Sequence, residues 1–418
     1  MGRASGGLGR RTPNFAILGA EPAFTEPLHV GRPNIGDRER LMERVGGILD
    51  RRRLTNDGPL VQEFERAVAD FLGVQHCVAT CNGTAALQLA IRAGGLSGEA
   101  IVSPLTFIAT ANALQWEGVM PAFCDVERTT HNLDPARVEQ AITPRTSAIV
   151  GVHLWGRPCA IEALTSLAER HGLALLFDAA HAFGCSHRGR MLGGFGLAEV
   201  LSFHATKFVN SFEGGAIVTN DDALASKVRI MRNHGFADYD TVTSIGMNAK
   251  MSEASAAMGL TSLEARDVFY AANRRNHDAY RTSLAGIAGV DLIDYDDAEV
   301  CNRNYVVIEV DESAALSRDE LQRLLWAENV LARRYFFPGC HLAEPYRSLL
   351  PDAGLQLPEA ERLARRLLAL PTGTAVEPAT IVVVAELIRR AMADGPRLRR
   401  RLENVVPAGA DPSWDGAS

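Results

Sequence analysis

The chain has 418 residues, of which 47% are apolar and 22% charged, a composition typical of a soluble globular protein long enough for two domains. Its apolar stretches, such as 173–177 and 381–384, have the length of strands, and its first 13 residues lack the apolar core of a signal peptide, so we expect neither a membrane span nor secretion. The net charge of −7 argues against nucleic acid as a main partner. The seven cysteines show no metal-ligand spacing, which favours free thiols in a reducing cytoplasm.

The first part of the chain reads as helices followed by alternating strands and helices. Amphipathic patterns predict helices at 37–52 and 59–72. From residue 75, strands are predicted at 77–80, 100–103, 122–126, 147–152, 173–177, 200–204 and 215–219, and helices at 83–93, 108–116 and 221–233. This alternation predicts βα units and a mostly parallel sheet that helices cover on both faces.

The pattern changes after about residue 265. A helix is followed by a strand at 304–310 and by helices around 318–329 and 359–369, which predicts a smaller C-terminal α/β domain. We therefore divide the chain into a flexible N-terminal segment (1–24), a large domain (25–264), a smaller domain (265–394) and a tail (395–418). The tail has charge, proline and glycine with little periodicity, and we expect it to be partly disordered.

A first candidate site is the triplet Asn82-Gly83-Thr84, between a predicted strand and a predicted helix. Backbone N–H groups at such a junction are free, and together with the helix dipole they bind phosphate. The same triplet is also common as an ordinary helix cap.

Asp178 directly follows the apolar run 173–177, and His181 comes three residues later. The carboxyl ends of parallel strands are where α/β sheets bind ligands. A carboxylate there can keep the pyridine nitrogen of pyridoxal phosphate (PLP) protonated, and the histidine can reach the phenolic oxygen of that cofactor. The alternatives are a helix cap for Asp178 and a core histidine for His181.

Lys207 follows the predicted strand 200–204. A lysine at a buried strand end can lose its charge by desolvation, and the neutral amine forms a Schiff base with an aldehyde. Ser202 can add a hydroxyl to a phosphate, and Phe107, just past another strand end, can stack on a pyridine ring. Without this context, Lys207 would be a surface lysine and Phe107 a core residue.

Together and in this order, these residues make the chain from about 25 to 393 similar to the DegT/DnrJ/EryC1/StrS family of sugar aminotransferases. The similarity is carried by residues 142–146, 152–156, 178–182, 202–207 and 213–221. It implies an α/β, aspartate-aminotransferase-like PLP fold (fold type I), with a mostly parallel seven-stranded sheet and a smaller C-terminal α/β domain. It also implies PLP as cofactor, with pyridoxamine 5'-phosphate as the form that carries the amino group.

The resemblance also implies roles for single residues. These are Lys207 as the Schiff-base lysine, Asp178 as the partner of the pyridine nitrogen, Phe107 for ring stacking, His181 for the phenolic oxygen, and Gly83, Thr84 and Ser202 as phosphate ligands. Asn248 corresponds to a phosphate contact made across an obligate homodimer with composite active sites. Many relatives have arginine at Lys250, glycine at Phe212 and serine at Asn82, and the first two departures could reshape the sugar or diphosphate pocket.

For the substrate, residues 150–159, 202–207, 248–253, 338–341 and 344–346 resemble enzymes that aminate C4 of dTDP-4-keto-6-deoxy-D-glucose in antibiotic deoxysugar biosynthesis. The reaction implies an amino-acid donor, and we expect it to be glutamate. His341 either approaches the sugar or is a surface-loop histidine. Amination at C3, another nucleotide keto sugar, and a non-catalytic PLP-fold binding or regulatory protein are the alternatives, and the intact Lys207 counts against the last. A metal site from His181, His187 and His204 lacks ligand spacing.

Overall fold

The computed structural model describes residues 14–402. Seven of its strands form the central sheet, and the others form a second sheet and two short ladders. In chain order the strands are β1 (Leu28–His29), β2 (His76–Thr80), β3 (Glu99–Val102), β4 (Met120–Phe123), β5 (Thr146–Val152), β6 (Ala174–Asp178), β7 (Ser186–His187), β8 (Arg190–Met191), β9 (Ala198–Ser202), β10 (Gly215–Thr219), β11 (Val290–Leu292), β12 (Val306–Val310), β13 (Val330–Leu331) and β14 (Leu367–Leu370).

The helices cover the central sheet and build most of the C-terminal part. They are α1 (Arg38–Arg51), α2 (Pro59–Leu72), α3 (Gly83–Ala93), α4 (Ile108–Trp116), α5 (Pro135–Ala141), α6 (Ile161–His171), α7 (Asp222–Arg232), α8 (Glu253–Glu264), α9 (Arg266–Leu284), α10 (Arg318–Ala327), α11 (Tyr346–Leu349), α12 (Pro358–Arg366), α13 (Pro378–Ala393) and α14 (Gly395–Leu402). Short 3-10 turns occur at Ala16–Leu18, Leu154–Gly156, Cys340–Leu342 and Ala353–Gln356.

The central sheet has the strand order β2-β10-β9-β6-β5-β3-β4. All neighbouring pairs are parallel except those of β10, which runs antiparallel to both β2 and β9. The predicted fold class, with its mostly parallel seven-stranded sheet, is therefore confirmed. Because β6 and β9 are parallel neighbours, Asp178 pairs with Val200, and the residues that follow both strands lie at the same sheet edge.

Helices cover both faces of this sheet, as predicted, because successive strand side chains point to opposite sides. Ile149 of β5 and Leu175 of β6 pack with α2, α6 and α8 on one face. Their neighbours Val150 and Leu176 pack with α3, α4 and α7 on the other. Both cores are closed to water, so the strand ends are held rigidly where the site is built.

A second core forms around the antiparallel sheet β11-β12-β14 and the helices α9, α10 and α13. It also takes in Phe15, which is 1% exposed, and Leu28 of β1, which pairs in parallel with β13. The backbone N–H groups of Ala16 and Ala23 donate to the carboxylate of Glu328. The expectation of a flexible segment over 1–24 is therefore wrong for residues 14–24, and residues 1–13 lie outside the described part.

The C-terminal part differs from prediction in three places. The helix expected at 359–369 ends at Arg366, because the next four residues form β14 and pair with β12. Residues 381–384, taken as strand-length, lie in α13, where Ile381, Val384 and Ile388 are buried at helical spacing. Residues 395–402 form α14, whose Leu398 and Leu402 are buried in the second core, and 403–418 lie outside the described residues.

No helix between residues 14 and 402 is both long and apolar enough to cross a membrane. The seven cysteines are all free thiols.

Candidate active site

A cleft of about 360 Å³ opens at the carboxyl ends of β6 and β9. We call it the active-site cleft. Seven residues for which the resemblance implies a cofactor role line it, namely Gly83, Thr84, Phe107, Asp178, His181, Ser202 and Lys207, and Asn82 lines it as well. The structure thus brings together side chains from four segments that are far apart in the chain.

Lys207 reaches the cleft on a tight turn after β9, in which its N–H donates to the carbonyl of His204 at 2.9 Å. Its Nζ donates to the hydroxyl of Tyr305 at 3.1 Å. Burial lowers the pKa of the Lys207 ammonium, while Tyr335 and Asp178 act in the opposite direction. The amine is therefore less basic than a surface lysine, as a nucleophile for an aldehyde needs to be.

Asp178 is the last residue of β6 and is held from two sides. Its Oδ2 accepts from the hydroxyl of Thr110 at 2.7 Å, and its Oδ1 accepts from the N–H of Ala180 at 3.0 Å. Thr110 lies on α4 and is 3.1 Å from the hydroxyl of Thr106. These bonds fix the carboxylate at the edge of the sheet, and no local pattern in the sequence marks Thr110 as its partner.

His181 is neutral, and its hydrogen bond to Trp155 determines which ring nitrogen carries the proton. Its Nδ1 accepts from the backbone N–H of Trp155 at 3.3 Å, so the ring proton is on Nε2. Burial, with a smaller effect of Lys207, lowers the pKa of His181 and keeps the ring neutral. Trp155 has a left-handed backbone, with φ of 61°, and its indole stacks on the His181 ring. The histidine is thus prepared to donate one hydrogen bond from Nε2.

The phosphate corner predicted from the sequence is formed by α3 and Ser202. Gly83 and Thr84 are the first two residues of the helix, so their N–H groups have no acceptor within it, whereas Asn82 caps the N–H of Ala85 at 2.8 Å. A Cβ on Gly83 would come within 3.2 Å of the Cβ of Ser202. Glycine therefore leaves open the space between the helix terminus and the serine, a cradle that fits the phosphate of PLP.

Three aromatic residues of the cleft were missed by the sequence reasoning. Tyr305, Tyr335 and Phe336 form its wall on the side of the C-terminal part, in a cluster with Trp155 that is separate from the second core. The Tyr305 ring lies 4.2 Å from that of His181, and Phe336 lies 6.2 Å from Phe107. No local motif marks these residues, since Tyr305 follows Lys207 by 98 positions.

His204 and Glu213 also line the cleft. They lie within segments that carry the family resemblance, but no role was assigned to them. Their side chains are 3.6 Å apart, and that of Glu213 is mostly exposed. They mark the outer edge of the site.

Asn248, Lys250 and His341 do not line the cleft of their own chain. The Nζ of Lys250 donates to the side chains of Asn233 and Asn248 at 2.9 and 2.7 Å. His341 is 2% exposed and packs on Phe123, so it is not a surface-loop histidine. The roles assigned to these three residues stay predictions.

Comparisons with known proteins identify the family. The model of the DegT/DnrJ/EryC1/StrS aminotransferase family matches residues 36–389. The dTDP-4-amino-4,6-dideoxy-D-glucose transaminase of Shigella dysenteriae is 36% identical over 364 residues, 87% of this chain and 99% of the relative. The GDP-perosamine synthase of Caulobacter vibrioides is 35% identical over 361 residues, 85% of this chain and 95% of the relative.

A solved structure of DesI, obtained in the presence of its TDP-sugar product, has the same fold. It superposes with a TM-score of 0.89 at 52% sequence identity, over 93% of this chain and 99% of that one. The chain therefore belongs to the DegT/DnrJ/EryC1/StrS aminotransferase family and is a PLP-dependent sugar aminotransferase.

Proposed function

We propose that the enzyme transfers the amino group of L-glutamate to C4 of dTDP-4-keto-6-deoxy-D-glucose, giving dTDP-4-amino-4,6-dideoxy-D-glucose. The observation that carries the reaction type is a buried lysine amine and a fixed carboxylate in one cleft. The choice of sugar is supported by the 52% identity to DesI, which was solved with a TDP-sugar product.

Each side chain has a distinct task in this proposal. PLP, when bound, supplies an aldehyde for amine exchange and a protonated ring that accepts electrons. Gly83, Thr84 and Ser202 hold its phosphate, and Asp178 keeps the proton on its ring nitrogen. His181 donates from Nε2 to its phenolic oxygen.

Lys207 carries out the proton transfer. Its neutral Nζ takes a proton from the carbon on one side of the transferred nitrogen and returns it to the carbon on the other side. This transfer requires an amine of lowered basicity. Burial supplies that property. Phe107 covers the ring face and excludes water from the reacting atoms.

Another nucleotide keto sugar, or amination at C3, is the second candidate, because one relative of similar identity is a GDP-perosamine synthase. The cofactor residues are the same for all these reactions, so only the product separates them. A binding or regulatory role without catalysis would leave the buried Lys207 unexplained. That role would return if the Lys207→Ala protein still performed its biological task.

We further propose that the protein acts in the cytoplasm as a homodimer with composite sites. Asn248 and Lys250 lie outside the cleft of their own chain and near a loop, residues 236–245, that carries exposed apolar side chains. Tyr239 of this loop is 96% exposed, and Val242 and Ile245 are also exposed. Burial of these side chains against a second copy would favour the dimer.

The test of the substrate is product analysis. The purified protein is incubated with PLP, glutamate and dTDP-4-keto-6-deoxy-D-glucose, and the nucleotide sugar is identified by mass spectrometry and NMR. An equatorial amine at C4 is expected, and the Lys207→Ala protein serves as the control without turnover. No amine while PLP is bound at Lys207 would direct the search to other keto sugars, among them those with the carbonyl at C3.

A further inference from the structure

His131 is a buried histidine that does not line the active-site cleft. Its side chain is 3% exposed and lies in the turn 127–132, which the antiparallel bridge of Val126 with Leu133 closes. The backbone N–H of His131 donates to the carbonyl of Glu127 at 2.9 Å, and its φ of 64° is left-handed. A buried imidazole in such a turn needs partners for its nitrogens.

The partner of the His131 ring is the indole of Trp155. The indole N–H donates to Nδ1 of His131 at 3.4 Å, and Trp155 is fully buried. The backbone N–H of the same tryptophan donates to Nδ1 of His181 at 3.3 Å. Its indole also stacks on the His181 ring, with the ring centres 5.8 Å apart. Trp155 therefore connects a histidine outside the cleft with the histidine inside it.

The loop of Trp155 has an uncommon backbone. Its φ of 61° is left-handed, and a bulky residue keeps this conformation only where the surrounding structure imposes it. Asn132 holds the backbone of this loop, because its Oδ1 accepts from the N–H of Leu154 at 3.2 Å and its Nδ2 donates to the carbonyl of Pro158 at 3.0 Å. The indole itself has a single N–H, and that group is bonded to His131.

The ring of His131 is a permanent acceptor for this bond. An indole nitrogen can only donate, so Nδ1 of His131 is unprotonated and the ring proton is on Nε2. Burial, with smaller effects of Arg157 and Arg362, lowers the pKa of His131 to about 3. The ring is therefore neutral at neutral pH, and the bond to Trp155 is not lost by protonation.

We propose that His131 is a positioning residue that acts on His181 through Trp155. His131 holds the indole, the indole holds the plane of the His181 ring, and the N–H of Trp155 keeps the proton of His181 on Nε2. His131 itself touches neither cofactor nor substrate. The inference rests on one part of the proposed function, the hydrogen bond from Nε2 of His181 to the phenolic oxygen of PLP, and does not depend on the choice of sugar.

The test uses the PLP-loaded enzyme without sugar or amino donor. A hydrogen bond donated to the phenolic oxygen favours its charged form and lowers the pKa at which the visible absorbance of the bound cofactor titrates. His131→Phe keeps a ring of similar size but removes the acceptor for the indole, so this pKa should rise by about one unit. His131→Asn places an amide oxygen near the position of Nδ1 and should restore most of the wild-type value.

His187→Phe is the matched control, because it removes the bond of another histidine, to Glu162 at 2.9 Å, away from the cleft. Its titration should equal that of the wild type. In His131→Phe, kcat should fall about threefold to tenfold with KM unchanged for both substrates, since His131 contacts neither of them. A merely structural role would lower the melting temperature without moving the titration.

An unchanged titration in folded His131→Phe would overturn the inference, as would an equal shift in His187→Phe. His131→Leu, a smaller apolar residue that also lacks an acceptor, replaces His131→Phe if that variant does not fold. His181→Phe separates the inference from the proposed function. A raised pKa in His181→Phe alone means that His131 does not position His181, whereas no shift in either variant means that His181 does not bond the phenolic oxygen.

Discussion

The amine of Lys207 lies against the hydroxyl of Tyr305, to which its Nζ donates at 3.1 Å. Burial lowers the pKa of Lys207, and Tyr335 and Asp178 raise it. Because a hydrogen bond donated by the ammonium favours the charged form, we expect the Tyr305 hydroxyl to raise this pKa as well. Tyr305→Phe should therefore lower the pKa of Lys207 further and increase the fraction of neutral amine at a given pH. The chain has only three lysines, Lys207, Lys227 and Lys250, so one amine can be followed clearly.

The measurement is the rate of trinitrophenylation at Lys207 in cofactor-free protein, followed by peptide mass spectrometry across a pH series. The Tyr305→Phe profile should shift to lower pH than that of the wild type. Tyr270→Phe, which removes a hydroxyl bonded to the carbonyl of Gly184 outside the cleft, should leave the profile in place. A shift of the Tyr305→Phe profile to higher pH would contradict this account.

The two hydrogen-bond partners of Asp178, Thr110 and the N–H of Ala180, orient its carboxylate but carry no charge themselves. Asp178→Asn keeps a side chain of the same shape, so PLP should still bind, but the ring nitrogen loses its anionic partner. We expect kcat to fall at least about a hundredfold. Thr110→Val, which removes one hydrogen bond and keeps the charge, should cost much less. Near-normal turnover of Asp178→Asn would mean that another group keeps the ring protonated.

At the scale of single residues, the sequence predicted those cleft residues whose position next to a strand indicates a function. Asp178 ends β6 and Lys207 follows β9, and the chemistry of the residue type completes the inference. Tyr305 and Thr110 could not be found in this way, because they reach the same two side chains from other elements. Their positions follow only from the packing of Tyr305 against Trp155 and of α4 on the sheet.

At the scale of elements, the first turn of α3 has to leave room for an anion. In Gly83→Ala, a Cβ meets Ser202 at 3.2 Å, and overpacking of this kind costs about 1–3 kcal/mol. We expect PLP to bind roughly fivefold to a hundredfold more weakly. The spectroscopic Kd for PLP and the melting temperature of the apoprotein check this expectation.

Gly46→Ala is the matched control, because Gly46 lies within α1 with nothing near the added Cβ. It should raise stability by about 0.5–1 kcal/mol and leave the Kd for PLP unchanged. Equal PLP affinity for Gly83→Ala and the wild type would show that the phosphate is held elsewhere.

The helices and strands differ in how well the sequence predicts them. α2 and α3 have the predicted bounds, since α2 begins with proline and ends before a left-handed glycine, and α3 begins after a capping asparagine. Such signals were weaker after residue 265. The run 367–370 continued a helical pattern without a glycine or proline, and only its pairing with β12 makes it a strand.

At the scale of the whole molecule, composite sites predict complementation between two defective chains. Lys207→Ala removes the amine of a site, and Asn248→Ala would remove a contact contributed to the site of the partner. Each variant alone should be inactive or weak, but a co-refolded mixture should regain activity, because some dimers then contain one complete site. A mixture of Lys207→Ala with Asp178→Asn is the control, since both lesions affect groups of the same chain's cleft.

Light scattering of the purified variants gives the oligomeric state in the same experiment. A monomeric wild type, or a mixture without regained activity, would contradict the composite site. Activity above that of either variant alone is the expected outcome.

Phe15 and Leu28 belong to a core whose other members come from residues 280–402. During synthesis the central sheet is complete once β10 has left the ribosome, but Phe15 has no core to enter until the last helices follow. Fusion or cleavage that disturbs residues 14–29 should therefore harm the second core, which includes β12, the strand that directly follows Tyr305 of the cleft wall. The earliest part of the chain to be made is among the last to reach its final place.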